Sequence, residues 1–360
     1  MSPSVNSPEW VPLGAIEGSK RAQKRRLRVN FGRPRPDQSN MRRGLAACAQ
    51  AMVTSPAAGH VEAVLLGMPV RIAFASASAE APLREACMAW RGARDRSAAP
   101  LAIDLREEAG FAAHEASLIY VAGDRMTLSG AGFKAVADAA TRTAICTLSS
   151  ELLAWPDALL AHVLEPLGLF LATRSGRVPI HASGVQLDDL AILFSGPSGS
   201  GKSSLAMAAA RASLQVLSED TIYVQREPRL AIWGWQGPIH LLAKDAGAAP
   251  GPLRLRNGRV KVALEPRAIS RARQPATAAT LCVLRHGERA SLQPISQACA
   301  LEGLGPLEPG FDLLEREIEP ALELLTRNGA WLLTLSGSPD EAIALIRQEA
   351  ERLRGRATRR

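Results

Sequence analysis

No apolar run of roughly 18 residues, the length a helix needs to cross a bilayer, occurs in the chain. The longest candidate, residues 159–173, is broken by His162, Glu165 and Pro166. The amino terminus also lacks the apolar core of a secretory signal. Together these absences predict a cytoplasmic protein without membrane contact. Cysteine is sparse. Cys48, Cys87, Cys146, Cys282 and Cys299 are scattered, odd in number and form no C-x-x-C pair. That argues against a disulfide framework and against a zinc site, and it fits a reducing compartment. Aromatics are only 4 % against 47 % hydrophobic residues, so the core must be built from Ala, Leu, Ile and Val. No N-K-x-D run is present, which disfavours a guanine-reading GTPase.

Charge is plentiful but unevenly placed. The net charge is +8 over 360 residues. Residues 1–43 carry +7 and residues 351–360 carry +4, leaving −3 on the body. The basic character therefore belongs to the two tails. A nucleic-acid-binding face on the folded part is not expected. Residues 1–40, rich in Ser, Pro, Arg and Asn, read as a disordered basic tail or an over-long start upstream of Met41. An arm for an acidic partner is the alternative.

Hydrophobic patterning divides the rest. Residues 61–75 read as β-rich, 83–91 as a short helix and 101–105 as a strand. Residues 117–121 and 125–128 read as a hairpin. A helix over about 157–173 leads into a second region. There 178–187 reads as one strand, Asp188-Asp189 as a turn and 190–195 as the next strand. Strands follow at 214–217, 221–225, 281–284 and 331–335. Residues 228–275, rich in Pro, Gly and Arg, predict hairpins and loops. The last helix opens at Ser338-Pro-Asp-Glu341 with Pro at its first position. Leu128-Ser-Gly-Ala-Gly132 resembles a transporter-ATPase signature only superficially, since it precedes the phosphate loop.

That loop is the most informative segment. Gly196-Pro197-Ser198-Gly199-Ser200-Gly201-Lys202-Ser203 is a complete G-x-x-x-x-G-K-[ST] run, followed by Ser204. An apolar strand precedes it and a run of strong helix formers follows, which is the setting a phosphate cradle needs. Glycines let backbone N–H groups wrap an anion, and the helix N-terminus adds positive potential. Lys202 is expected on the β- and γ-phosphates and Ser203 on Mg²⁺. Glu219 and Asp220 end the strand after the loop helix, where α/β sheets place ligands. Asp220 could hold Mg²⁺ or take a proton from an attacking hydroxyl. An acidic turn is the bland alternative. His181 lies on the adjoining stretch; a lone histidine there is more often a core group than a catalyst.

His181-Ala-Ser-Gly-Val, the phosphate loop and Leu217-Ser-Glu-Asp220 together resemble the kinase domain of HPr kinase/phosphorylase. They are similar above all to the HPr-kinase-like proteins of peptide-modification clusters, including lasso-peptide tailoring kinases. The resemblance is specific over residues 178–225 and looser beyond. It implies a P-loop kinase acting on serine, with Asp220 as base and His181 beside it. Two departures stand out. Glu219-Asp220 replaces the family's two aspartates. The E-[IV]-R-G run that supplies a metal-binding glutamate has no counterpart. Residues 235–245 lie in its place, with Asp245 a weak substitute. Arg254, Arg256, Arg259 and Lys261 could clamp phosphates or form a solvated loop.

The expected fold is α/β: an HPr-kinase-type P-loop domain over 157–350, a smaller α+β domain over 44–156, and basic tails at 1–43 and 351–360. The expected activity is ATP- and Mg²⁺-dependent phosphorylation of a serine in a peptide or protein, foremost a ribosomally made lasso-type precursor. Catalysis falls to Asp220, His181, Lys202 and Glu219, and the metal to Ser203 and Asp220. A small-molecule kinase and a non-enzymatic ATP sensor are the rivals. Oligomeric state is left open.

Overall fold

The computed structural model describes residues 58–108, 118–197, 199–235, 239–242, 253–256, 259–264, 272, 274–303, 313–327 and 329–357. Two compact units divide the chain. Met1–Arg91 with Ala98–Leu171 form the first, and Gly92–Ser97 with Ala172–Arg360 form the second.

The first unit is built on strands β1 (Gly59–Leu65), β2 (Met68–Phe74), β3 (Leu101–Glu107), β4 (Leu118–Ala122), β5 (Arg125–Gly130), β6 (Phe133–Asp138) and β7 (Thr143–Leu148). They form one sheet in the order β1-β2-β3-β7-β6-β5-β4. β3 runs parallel to both its neighbours, β2 and β7, and the other pairs are antiparallel. Burial alternates along β3 and β5, the signature of a sheet with one covered face. Helix α1 (Glu80–Ala86) follows β2, and the short α2 (Ser150–Leu153) follows β7. Then α3 (Pro156–Leu159), one π-helical turn (Leu160–Leu164) and α4 (Glu165–Arg174) form the long apolar segment. Val163, Leu164, Leu167, Phe170 and Leu171 are fully buried, so this segment spends its hydrophobicity on a protein core. No helix among the described residues is long and apolar enough to cross a membrane.

The second unit holds β8 (Val178–Ile180), β9 (Ser183–Leu187), β10 (Leu190–Ser195), α5 (Lys202–Arg211), β11 (Gln215–Ser218), β12 (Ile222–Gln225) and β13 (Ala231–Gly234). It continues through β14 (Ile239–Leu242), β15 (Leu253–Arg256), β16 (Arg259–Leu264), β17 (Ala278–His286) and β18 (Ser291–Ile295). α6 (Gln297–Gly303), α7 (Glu315–Thr326), β19 (Ala330–Leu335) and α8 (Pro339–Ala357) complete it. The principal sheet has the order β11-β9-β10-β17-β19-β18, with β10, β17 and β19 mutually parallel. β10 shows why its sequence is continuously apolar. Ala191 and Leu193 face a core shared with Ile318, Ala321 and Leu325 of α7. Ile192 and Phe194 face the opposite core, with Leu205 of α5 and Ile343 and Ile346 of α8. A strand covered on both faces favours apolar residues at successive positions rather than at alternate ones.

Two small sheets flank this one, β13-β12-β8 and β14-β16-β15. The second packs Ile239, Leu241, Val262 and Leu264 against Ala206 of α5 and Val216 of β11. The single strand expected over 178–187 is two strands in different sheets. β8 pairs with β12, whereas β9 pairs with β10 and β11. The chain crosses between sheets at His181-Ala182. Small residues allow it: a Cβ on Gly184 would stand 3.1 Å from Leu193 and 3.2 Å from Ile222.

In segment 92–97, the half-buried Asp95 bonds to residues of the second unit. Asp95 Oδ2 accepts from Arg177 Nη2 at 3.1 Å and from Gln225 Nε2 at 3.0 Å. Gln225 Oε1 in turn accepts from Trp233 Nε1 at 2.9 Å. The Arg177 guanidinium also lies 5.4 Å from the Trp233 ring centroid, in cation–π range. Arg177 and Gln225 stand at one end of the β8–β12 ladder. His181 and Asp220 stand at the other.

Candidate functional site

The loop from Gly196 runs between β10 and α5, and Gly201 is the residue before the helix, at φ +99°. Gly199 is also left-handed, at φ +88°. Both conformations favour glycine, and together they turn the chain tightly onto the helix N-terminus. A Cβ on Gly196 would meet Ser200 Oγ at 2.8 Å, so the loop closes on itself. Ser200 Oγ is buried with no hydrogen-bond partner among the described residues. Ser198 lies outside the described residues. Pro197 is exposed, and Ser204 lies in the first turn of α5.

Lys202 folds back over the loop. Its Nζ donates to Gly196 O at 2.6 Å and Pro197 O at 3.3 Å. Burial lowers its pKa below the ordinary lysine value, and Lys261 of β16 adds to this. The carboxylates of Asp220 and Glu219 oppose the shift without cancelling it.

β11 runs parallel in direction to β10, because both are antiparallel to the intervening β9. Its carboxyl end therefore delivers Glu219 and Asp220 to the side of the sheet where the loop lies. The two acids meet different surroundings. Glu219 is buried, its side chain 6 % exposed. Its Oε1 accepts the Ser203 hydroxyl at 2.7 Å. Its Oε2 accepts the His240 backbone N–H at 3.0 Å and His240 Nδ1 at 3.2 Å. Burial alone would raise the Glu219 pKa. The hydrogen bonds from the His240 ring, the Ser203 hydroxyl and the His240 N–H outweigh it and hold the carboxyl below its ordinary value.

Asp220 is 44 % exposed and stands 3.6 Å from His181 Nδ1, itself 50 % exposed. The register explains their meeting: Ile180 pairs with Ile222, so the residues beyond each strand end are neighbours. Ser203 thus lies on Glu219, whereas the sequence reading joins it to Asp220. Asp245 lies outside the described residues, as do the side chains at 254, 256 and 259.

No group of three or more His, Cys, Asp or Glu side chains gathers as a metal cage among the described residues. Ser203 and Glu219 instead offer two hard oxygens beside a phosphate loop. That is the sparse protein share Mg²⁺ takes when phosphates supply the other ligands. The donor set fits a magnesium–nucleotide complex. His240 is the site residue that the sequence reading passed over. Its only signal is a polar position between the buried Ile239 and Leu241.

No protein-family model matches the chain, and no curated protein matches it. Among solved structures, the Hpr(Ser) kinase/phosphatase from Coxiella burnetii is 12 % identical with a TM-score of 0.26. The match covers 49 % of this chain and 98 % of that one.

Proposed function

We propose that the protein is an ATP-dependent kinase that phosphorylates a serine hydroxyl of a peptide or protein. The observation that carries this reading is the division of labour between two adjacent acids. Glu219 is buried against Ser203, while Asp220 is open to solvent beside His181. A carboxylate that must meet an incoming hydroxyl has to be accessible; one that holds a metal does not.

In this reading the loop from Gly196 to Ser204 and Lys202 hold the triphosphate. Ser203 and Glu219 would hold Mg²⁺, which would supply neutralisation of the charge on the phosphates. The serine oxygen forms a bond to the γ-phosphorus as the bond to the β,γ-bridging oxygen breaks. ADP leaves, and the serine proton passes to Asp220. His181 steadies the charge on Asp220. The motif resemblance over residues 178–225 favours a ribosomally made, lasso-type precursor peptide as acceptor.

The test incubates the protein with ATP, Mg²⁺ and serine-containing precursor peptides and follows phosphopeptide by mass spectrometry. Lys202→Ala should lower kcat by at least ~10²-fold, because its charge acts chiefly in the transition state. Asp220→Asn should abolish transfer with ATP still bound. Retention of more than about a tenth of the rate in Asp220→Asn would overturn its role as base, since general bases contribute ~10²–10⁴-fold.

A further inference from the structure

Glu219 accepts the Ser203 hydroxyl through Oε1. The other oxygen is held by a residue from a different sheet. His240 sits on β14, whose partner in the sheet is β16. On either side of it, Ile239 and Leu241 are buried against Ala206 of α5 and Val216 of β11. The strand is thus anchored to the helix that begins at the phosphate loop and to the strand that ends at Glu219. From that anchorage His240 presents two donors, its backbone N–H and its ring Nδ1–H, to the single atom Oε2. A carboxylate can only accept, so the ring proton lies on Nδ1 in this contact. The ring is 14 % exposed, closed to an acceptor substrate but not to Glu219.

A buried carboxylate with one oxygen fixed this way cannot rotate about its terminal torsion without breaking both bonds. That torsion is otherwise broad. We infer that His240 is a positioning residue of the nucleotide site: it locks the Glu219 carboxylate so that Oε1 stays on the Ser203 side, where the metal belongs. The small sheet β14-β16-β15 is then the support of the metal-ligating carboxylate as well as a cover for α5. The inference rests on the nucleotide-and-metal half of the proposed function and is independent of the acceptor.

Groups that hold metal ligands in place typically change metal affinity by ~10–100-fold when removed. The experiment measures binding of a fluorescent ATP analogue to the full chain, with Mn²⁺ or Mg²⁺ titrated in, and again in excess chelator. His240→Ala keeps the backbone donor and loses the ring. It should weaken the apparent metal affinity ~10–100-fold and leave metal-free nucleotide binding unchanged. His240→Asn, whose amide N–H can occupy the place of Nδ1–H, should recover most of the loss. Thermal melting of both variants checks that the fold is retained. Three results would overturn the inference: unchanged metal affinity in His240→Ala, an equal loss with and without metal, or no recovery in His240→Asn. A protein that phosphorylates no peptide yet shows this metal response would refute the kinase reading alone.

Discussion

Lys202 rests its ammonium on the carbonyl oxygens of Gly196 and Pro197, and burial holds its pKa below the ordinary value of about 10.4. The charged form is disfavoured in the folded protein, so its cost is fully present below the depressed pKa. It is relieved as pH rises through that value towards the unfolded one. A triphosphate on the loop would favour the ammonium and raise the pKa again. Nucleotide binding should therefore take up protons at alkaline pH and weaken as pH rises past the depressed value. Calorimetry in two buffers of different ionisation enthalpy, at alkaline pH below the ordinary lysine value, reads this directly. Buffer-independent heats, or proton release, would contradict it. The loop itself was legible at this scale because its chemistry is local: glycines, a lysine and a serine in fixed order. The Ser203–Glu219–His240 chain was not. It joins residues 16 and 21 positions apart, through a strand end and a separate sheet.

Strand ends place the site, and one close approach holds them. A Cβ on Gly234 would lie 2.0 Å from the carbonyl oxygen of Leu217, two residues before Glu219. The obstacle is backbone and cannot swing aside. Gly234→Ala should push β13 and β11 apart, costing about 1–3 kcal/mol of stability in the manner of an overpacked core. It should also weaken metal-dependent nucleotide binding, because Glu219 rides on the displaced strand. An unaltered melting temperature and nucleotide affinity would refute the coupling. Elements with one clear local signature were readable from sequence: β10 as a short continuous apolar run and α5 as a run of strong helix formers. The break at His181-Ala182 was not. An apolar run feeding two sheets looks the same as one feeding a single buried strand, and only the pairing partners, Ile222 for Ile180 and Phe194 for Ser183, distinguish them.

The strands of each unit pair only among themselves, in one sheet in the first unit and three in the second, and the phosphate loop belongs to the second. A ligand that binds only the folded form stabilises by about 2.7 kcal/mol at a hundred times its Kd. With ATP and Mg²⁺, hydrogen exchange should slow in peptides from β10, α5 and β11 and stay unchanged in those from β2, β3 and β7. Equal protection in both sets would place the nucleotide elsewhere. The units are not successive along the chain, however. The segment Gly92–Ser97 belongs to the second although the chain around it belongs to the first. Asp95 is therefore synthesised 82 residues ahead of Arg177, the partner it must find. Excising the nucleotide unit at residue 172 would keep every one of its strands and helices yet strip Arg177 of the Asp95 carboxylate. Arg177 is buried and Asp95 half-buried, and losing a hydrogen bond between charged groups costs about 1.5–3 kcal/mol, against a typical margin of about 5–15 kcal/mol for a whole domain. The half of the chain with the phosphate loop is thus poorly severable, and any shuffling of it into another protein has to carry a six-residue piece of its neighbour along.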